Sequence, residues 1–438
     1  MVIKIRSGIK LRYIKYLYFL LSGSYTLRVR KINIYLLLFL LLCLSCSRER
    51  YPIRDYGPIE VRAQLYQNVY TQLMNNEVCP TCVNYKDGDL TTDFGDATAY
   101  APALFFSLMG EGRATADDMR VAEEMAERQI GLVTDLSQNG IYSFLSAGIS
   151  DPNSISETFV GIGGIFIAYE ATGEKKYKDT AEKYLDAMGE IFEPSGSSFL
   201  NGLLGAEIPP YGVTTVVGGA AGFYLQYIFS VGAGRSAVHY ADVGCSVLQK
   251  LNDAVFDQER KNYRYQNTPG YSFIYQYSNL TTLQGLIRAY LNTQNSAYLD
   301  RAKAVMETLE LLWSDKYKGY FSAENDPKYF SIYDEIDTLE YQREYIPLSG
   351  ANYQVYANIL MYQVTKDEKY RKNIEKILDF IEGTLYKDGI VLHDIQNGKL
   401  ADRYCPGCNF QLLYNIYLYD RLLKGKPVLE KHIVFPNR

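Results

Sequence analysis

The sequence predicts an all-α fold in which six helical hairpins close into one ring, an (α/α)6 toroid. Three observations predict it. The pattern Tyr-x2-Thr-x4-Tyr occurs three times, at Tyr169-Thr172-Tyr177, Tyr290-Thr293-Tyr298 and Tyr362-Thr365-Tyr370. The helices flanking each copy differ in kind: those before it are rich in Gly, Ala and Tyr with few charges, and those after it are charged with one apolar stripe. A helix that is apolar all round is buried on all sides, whereas one with a single stripe faces water. Finally, a spare amphipathic helix stands at the front of the body, where it can complete the last hairpin.

Taken in chain order, the first element is a leader. Lys4, Arg6, Lys10, Arg12, Lys15, Arg28, Arg30 and Lys31 form a long basic region, and Ile32 to Leu44 is almost wholly apolar. That run is short of the roughly 20 residues that span a bilayer, and it ends in Leu44-Ser45-Cys46. This ending resembles a bacterial lipobox, departing from it at Cys43, where leucine is usual. The resemblance implies that residues 1–45 are a signal peptide and that Cys46 is lipidated. It also implies an exported protein attached to a membrane through a lipid anchor. Ser47 gives no acidic inner-membrane retention signal, so the outer membrane is the expected location. Residues 46–57, polar and Pro-containing, read as a tether, and residues 58–438 as a single toroid domain. The composition is globular, 47% hydrophobic and 22% charged, with a net charge of -5. That balance, with no basic stripe in the body, argues against nucleic acid as a partner.

Six inner helices are expected near Asp96–Met109, Ser156–Ala171, Gly212–Val231, Ser278–Asn292, Ser349–Val364 and Cys408–Leu423. Five outer helices follow at Arg113–Leu136, Glu174–Phe192, Arg235–Phe256, Ser296–Trp313 and Asp367–Leu385. After the final Tyr of each repeat, apolar residues recur four and eight positions on (Ala181 and Leu185, Ala302 and Met306, Ile374 and Leu378), which marks one helix face. The sixth outer helix is supplied from the front by Pro58–Asn76, with Val61, Leu65, Val69 and Leu73 at steps of four. Inner-helix starts lie about 55 to 70 residues apart, too far for the roughly 34-residue repeat of a tetratricopeptide solenoid.

This architecture, with Gly/Tyr segments after the outer helices such as Asp315 to Phe321 and Asp388-Gly389, resembles the six-hairpin glycosidase-like toroids. A weaker similarity links Gly161–Gly164 and Gly219–Gly222 to the lanthionine-synthetase-C-like toroids. The Cys-His-Gly zinc motif of that family is absent from this sequence. The first resemblance implies a site at the rim where inner helices begin. Free N–H groups and the positive ends of helix dipoles point into the cavity there.

Asp93 and Asp96 precede the first inner helix and Glu157 opens the second. Paired carboxylates on such a rim suit acid–base work on a glycosidic bond. The structural alternatives are an N-cap for Asp96 and a favourable helix-terminus charge for Glu157. Tyr100, Tyr211, Tyr275 and Tyr345, with Arg343 in the long segment Tyr320–Leu348, are the candidates for holding a sugar, since aromatic faces with a hydroxyl suit sugar rings.

With these rim residues, the resemblance implies a carbohydrate-active enzyme, a glycoside hydrolase, lyase or epimerase. The alternative is a non-catalytic lipoprotein that binds a glycan, peptide or protein. Two further motifs, Cys79-Pro-Thr-Cys82 and Cys405-Pro-Gly-Cys408, fall beside each other if the ring closes. They are expected to form structural disulfides, a four-thiolate structural zinc site or a redox pair.

Overall fold

The computed structural model describes residues 83–84, 97–139, 163–192, 212–232, 234–267, 270–335, 343–387 and 390–429. The leader, the tether and the predicted front helix Pro58–Asn76 lie outside them. Among the described residues no helix is long and apolar enough to cross a membrane.

The inner helices are α1 (Ala97–Gly110), α3 (residues 163–172), α5 (Gly212–Ser230), α7 (Gln276–Thr293), α10 (Leu348–Thr365) and α12 (Pro406–Leu423). The outer helices are α2 (Ala116–Asn139), α4 (Lys175–Phe192), α6 (Arg235–Ala254), α8 (Ser296–Leu309) and α11 (Glu368–Phe380). A short helix, α9 (Phe330–Glu335), sits in the long segment before α10.

The repeated Thr explains the hairpins. Its hydroxyl donates to the carbonyl four residues back and accepts the N–H two residues on. Thr293 Oγ1 donates to the Ala289 carbonyl (2.8 Å) and accepts from Asn295 N (3.2 Å). Thr365 repeats this with Met361 and Asp367, and Thr172 with Ala168 and Glu174. The intervening residue is left-handed, Gly173 at φ 70, Gln294 at φ 58 and Lys366 at φ 57. Its N–H closes on the carbonyl of the repeat's first Tyr, satisfying a carbonyl that the helix end leaves orphaned. Asn295 and Asp367 then cap the outer helices through Ala297 N and Lys369 N. The second Tyr starts the buried stripe of the outer helix: Tyr370, Ile374 and Leu378 are 2%, 0% and 0% exposed.

The ring closes. Helix α5 packs on α7, α7 on α10, α10 on α12, and α12 on α1. The last of these contacts stacks Phe410 edge-on against Phe105, 5.7 Å apart, and lets Tyr417 donate to the Ser107 carbonyl. Phe166 of α3 meets Tyr227 of α5, and Phe106 of α1 meets Tyr177 of α4. A β-pair adds a second closure. Strand β1 (Val83–Asn84) runs antiparallel to β11 (Arg403–Tyr404), with Val83 opposite Tyr404. Val83 directly follows Cys82, and Tyr404 directly precedes Cys405.

Outer helices end in short β-hairpins that build the rim: β2–β3 (Phe256–Asp257, Asn262–Tyr263), β4–β5 (Trp313–Ser314, Gly319–Tyr320) and β7–β8 (Tyr386–Lys387, Ile390–Val391). Strands β6 (Tyr345–Pro347), β9 (Asp394–Gln396) and β10 (Lys399–Leu400) form a three-stranded sheet beside the start of α10. Trp313, expected inside an outer helix, instead opens β4, because α8 ends at Leu309 and a 3-10 turn over Glu310–Leu312 redirects the chain. Asp118 belongs to a reciprocal cap on α2. Thr115 N donates to Asp118 Oδ2 (2.8 Å), and Asp118 N donates to Thr115 Oγ1 (3.1 Å).

Candidate functional site

The inner helices surround a cavity of about 230 Å³, just below the roughly 300–1,000 Å³ usual for small-molecule sites. Each of the longer helices gives it one stripe at helical spacing. Helix α7 contributes Tyr277, Thr281, Gln284 and Arg288, and α5 contributes Thr215, Gly219, Gly222 and Gln226. Helix α10 adds Ser349, Tyr353 and Tyr356, and α12 adds Cys408, Gln411 and Asn415. Tyr100 of α1 and Gly163, Gly164, Ile167 and Glu170 of α3 complete the wall. These stripes are polar or small on helices otherwise packed with Leu, Val, Ile and Phe. That is the pattern of a helix bearing a second, solvated face inward.

Hydrogen bonds between neighbouring helices fix the wall. Tyr277 Oη and Ser349 Oγ are 2.7 Å apart, and Thr215 Oγ1 and Ser278 Oγ 3.1 Å. Gln411 Nε2 donates to Tyr100 Oη (2.8 Å). Asn352 Nδ2 donates to the Cys408 carbonyl (2.7 Å), and Asn415 Nδ2 to the Asn352 carbonyl (2.9 Å). At the far end Gln363 clasps the C-terminal tail. Its Oε1 accepts from Val428 N (2.8 Å) and Leu429 N (3.1 Å), and its Nε2 donates to the Leu429 carbonyl (3.0 Å). Val428 and Leu429 thereby line the cavity floor.

The mouth holds an acid–base pair that sequence reasoning missed. His393 lines the cavity, and its Nδ1 is 2.5 Å from Asp394 Oδ2. The backbone locks the ring's position. His393 N donates to the Arg403 carbonyl (2.9 Å), and the His393 carbonyl accepts from Leu348 N (2.8 Å). Asp394 is 3% exposed. Burial pushes its carboxyl up, but the hydrogen bond and charge of His393, with Arg403 at 3.3 Å, hold it below the usual carboxylate range. A carboxylate on Nδ1 fixes the tautomer and leaves Nε2 as the nitrogen suited to proton transfer.

The structure distributes the sequence candidates unevenly. Tyr100, Cys405 and Cys408 line the cavity. Asp93, Asp96, Glu157, Tyr211, Cys46, Cys79 and Cys82 lie outside the described residues. Tyr275, 1% exposed, does not face the cavity. It packs in an aromatic cluster with Tyr265, Phe273 and Tyr333. Tyr345 sits in β6, and Arg343 lies over the Phe330 ring, pairing with Asp334 and donating to the Phe330 carbonyl (3.0 Å); neither lines the cavity.

Cys405 and Cys408 are joined to each other in a disulfide, and Cys405 caps α12 by accepting from Cys408 N (2.9 Å). Sulfurs bonded to one another are not thiolate ligands, so this bond is incompatible with the four-thiolate zinc alternative. The bond is also local, three residues apart. The long-range closure is carried by β1–β11 and by α12 against α1.

No protein-family model matches the chain, and no curated protein is similar to it in sequence. Solved structures are similar in fold. An unsaturated glucuronyl hydrolase specific for heparin superposes with a TM-score of 0.56 at 12% identity, over 85% of this chain and 100% of that one. Cellobiose 2-epimerase from Bacillus thermoamylovorans B4167 gives 0.54 at 12% identity, over 82% and 98%. A polysaccharide lyase gives 0.54 at 12% identity, over 83% and 98%. The chain thus has the (α/α)6 toroid fold of the six-hairpin glycosidase-like proteins.

Proposed function

We propose that this protein is a carbohydrate-active enzyme that transforms a saccharide bound in the central cavity, by proton transfer at carbon of the epimerase or lyase kind. The observation that carries the reading is the His393–Asp394 pair at the mouth of a cavity walled by tyrosines and amide side chains. An imidazole oriented by a buried carboxylate is a general base of the strength needed to take a proton from a carbon beside a carbonyl or carboxyl group. Returning a proton to the opposite face gives the epimer; expelling a leaving group from the neighbouring carbon gives elimination. The similar folds named a cellobiose 2-epimerase and a polysaccharide lyase support the substrate class. Glycoside hydrolysis through Asp96, Glu157 and Asp93 is the competing chemistry.

A panel of neutral and acidic oligosaccharides, followed by NMR in D2O, tests this. Epimerisation leaves deuterium on the inverted carbon, and elimination leaves a carbon–carbon double bond. Hydrolysis without either would overturn the proton-transfer reading, and binding without turnover would favour the glycan-binding alternative. The leader supports placing the enzyme at the outer membrane through lipid on Cys46. Incorporation of a labelled fatty acid, abolished by Cys46→Ala, is the expected result.

A further inference from the structure

We propose that Arg288 forms an oxyanion subsite at the deep end of the cavity, which takes the carboxylate or sulfate group of an acidic saccharide. The proposal deepens the saccharide reading of this cavity and rests on it for the sugar part of the ligand only. Arg288 is 4% exposed and lines the cavity. It lies on α7 eleven residues after Tyr277, about 16 Å further along the helix axis. A guanidinium presents five N–H donors in a planar fork. Here Nη2 donates to Tyr356 Oη (3.2 Å), while Nε, buried, makes no hydrogen bond. Among the described residues no carboxylate forms an ion pair with it.

A buried cation without a counter-charge is costly, and its donors match a two-oxygen anion. The fold also makes room for the group. A Cβ at Gly222, on the facing helix α5, would stand 3.3 Å from Arg288 Nη1. Tyr356 takes one Nη2 donor and so orients the fork, while Nε, on the same side edge as Nη2, stays unbonded. Glu170 lines the same cavity from α3, which favours a ligand with a single anionic group seated at Arg288 over one charged along its length.

The experiment compares wild type, Arg288→Met and Arg288→Lys in the full chain. Isothermal titration would use glucose, glucuronate and a matched neutral and acidic disaccharide, with inorganic sulfate as a separate arm read by thermal melting. The expected result is that wild type binds the acidic sugar at least about tenfold more tightly than its neutral counterpart. Arg288→Met erases the preference and leaves neutral binding within about twofold, and Arg288→Lys retains part of it. Sulfate raises the melting temperature of wild type but not of Arg288→Met. In the absence of anion Arg288→Met melts at or above wild type, because a cation held for a ligand is a burden on the empty protein. A purely structural arginine would instead give a destabilised variant.

If no saccharide binds but the sulfate effect vanishes in Arg288→Met, the anion subsite stands and the saccharide reading falls. Equal affinity for acidic and neutral sugars in wild type, with no sulfate effect, would overturn the subsite. Should Arg288→Met fail to fold, Arg288→Lys decides: an undiminished acidic preference there rejects bidentate recognition.

Discussion

Replacing His393 by Ala is expected to lower kcat on the saccharide identified by the panel by about 10²- to 10⁴-fold, the usual contribution of a positioned acid–base group. KM should change little, because the cavity walls that hold the ligand come from the six inner helices. The thermal melt should stay near wild type, since the bonds of His393 to Leu348 and Arg403 are made by its backbone, which the substitution keeps. The partner substitution separates positioning from chemistry. Asp394→Asn keeps the shape but can present an amide N–H to Nδ1, which favours the wrong tautomer. A loss of about 10- to 1,000-fold in kcat is expected. Unchanged turnover in both variants would remove the pair from the mechanism.

Asp394→Asn should also alter acid stability, and its direction follows from the carboxyl's depressed value. A carboxylate whose folded value lies below its unfolded one, about 3.9 for Asp, stabilises the fold above that pH. The contribution disappears as pH falls through the folded value. Wild type should therefore lose stability on acidification below about pH 4. Part of that loss should be missing from Asp394→Asn, measured as urea midpoints across pH 2.5 to 7.

Most of the ring was legible in the sequence because its determinants are local. The Tyr-x2-Thr-x4-Tyr repeat encodes one hydrogen-bonded turn, with Thr bridging two helices, so it marks hairpin boundaries to within a residue or two. The two-kind alternation of helices encodes which layer is inside. The site was less legible because it depends on helix rotation. Tyr275, extended just before α7, and Tyr277, in its first turn, both belong to the aromatic cluster, but only Tyr277 also lines the cavity. A usable signal was nonetheless present. Tyr277, Thr281, Gln284 and Arg288 form a polar stripe on a helix that carries buried Leu280, Leu283, Leu286 and Ile287. His393 carried no such signal, since its role comes from a bend just before β9 whose partners lie at Leu348, Arg403 and Asp394.

Gly218→Ala is expected to lower the unfolding free energy by about 2 kcal/mol, through overpacking at the junction of two inner helices. A Cβ at Gly218 of α5 would stand 2.3 Å from Thr282 Oγ1 of α7, and 3.0 and 3.1 Å from the Thr282 backbone N and Cα. The hydroxyl cannot simply swing away, because it is fully buried and donates to the Ser278 carbonyl at 2.7 Å. The backbone atoms cannot move without shifting α7. Two effects oppose each other: glycine to alanine inside a helix gains about 1 kcal/mol in propensity, and overpacking costs about 1–3 kcal/mol. With backbone in the way, the upper end of the cost applies and destabilisation wins.

The neighbouring residue supplies the control. A Cβ at Gly219 meets nothing within 4 Å and points to the cavity wall, so Gly219→Ala should gain up to about 1 kcal/mol. Adjacent glycines on one helix are thus expected to respond with opposite sign in urea denaturation. Thr282→Ala should rescue Gly218→Ala only in part, since it removes the hydroxyl contact but leaves both backbone contacts. A Gly218→Ala protein as stable as wild type would mean that α5 and α7 do not approach so closely. The ring that brings Arg288 and Gly222 together would then have to be looser than this packing requires.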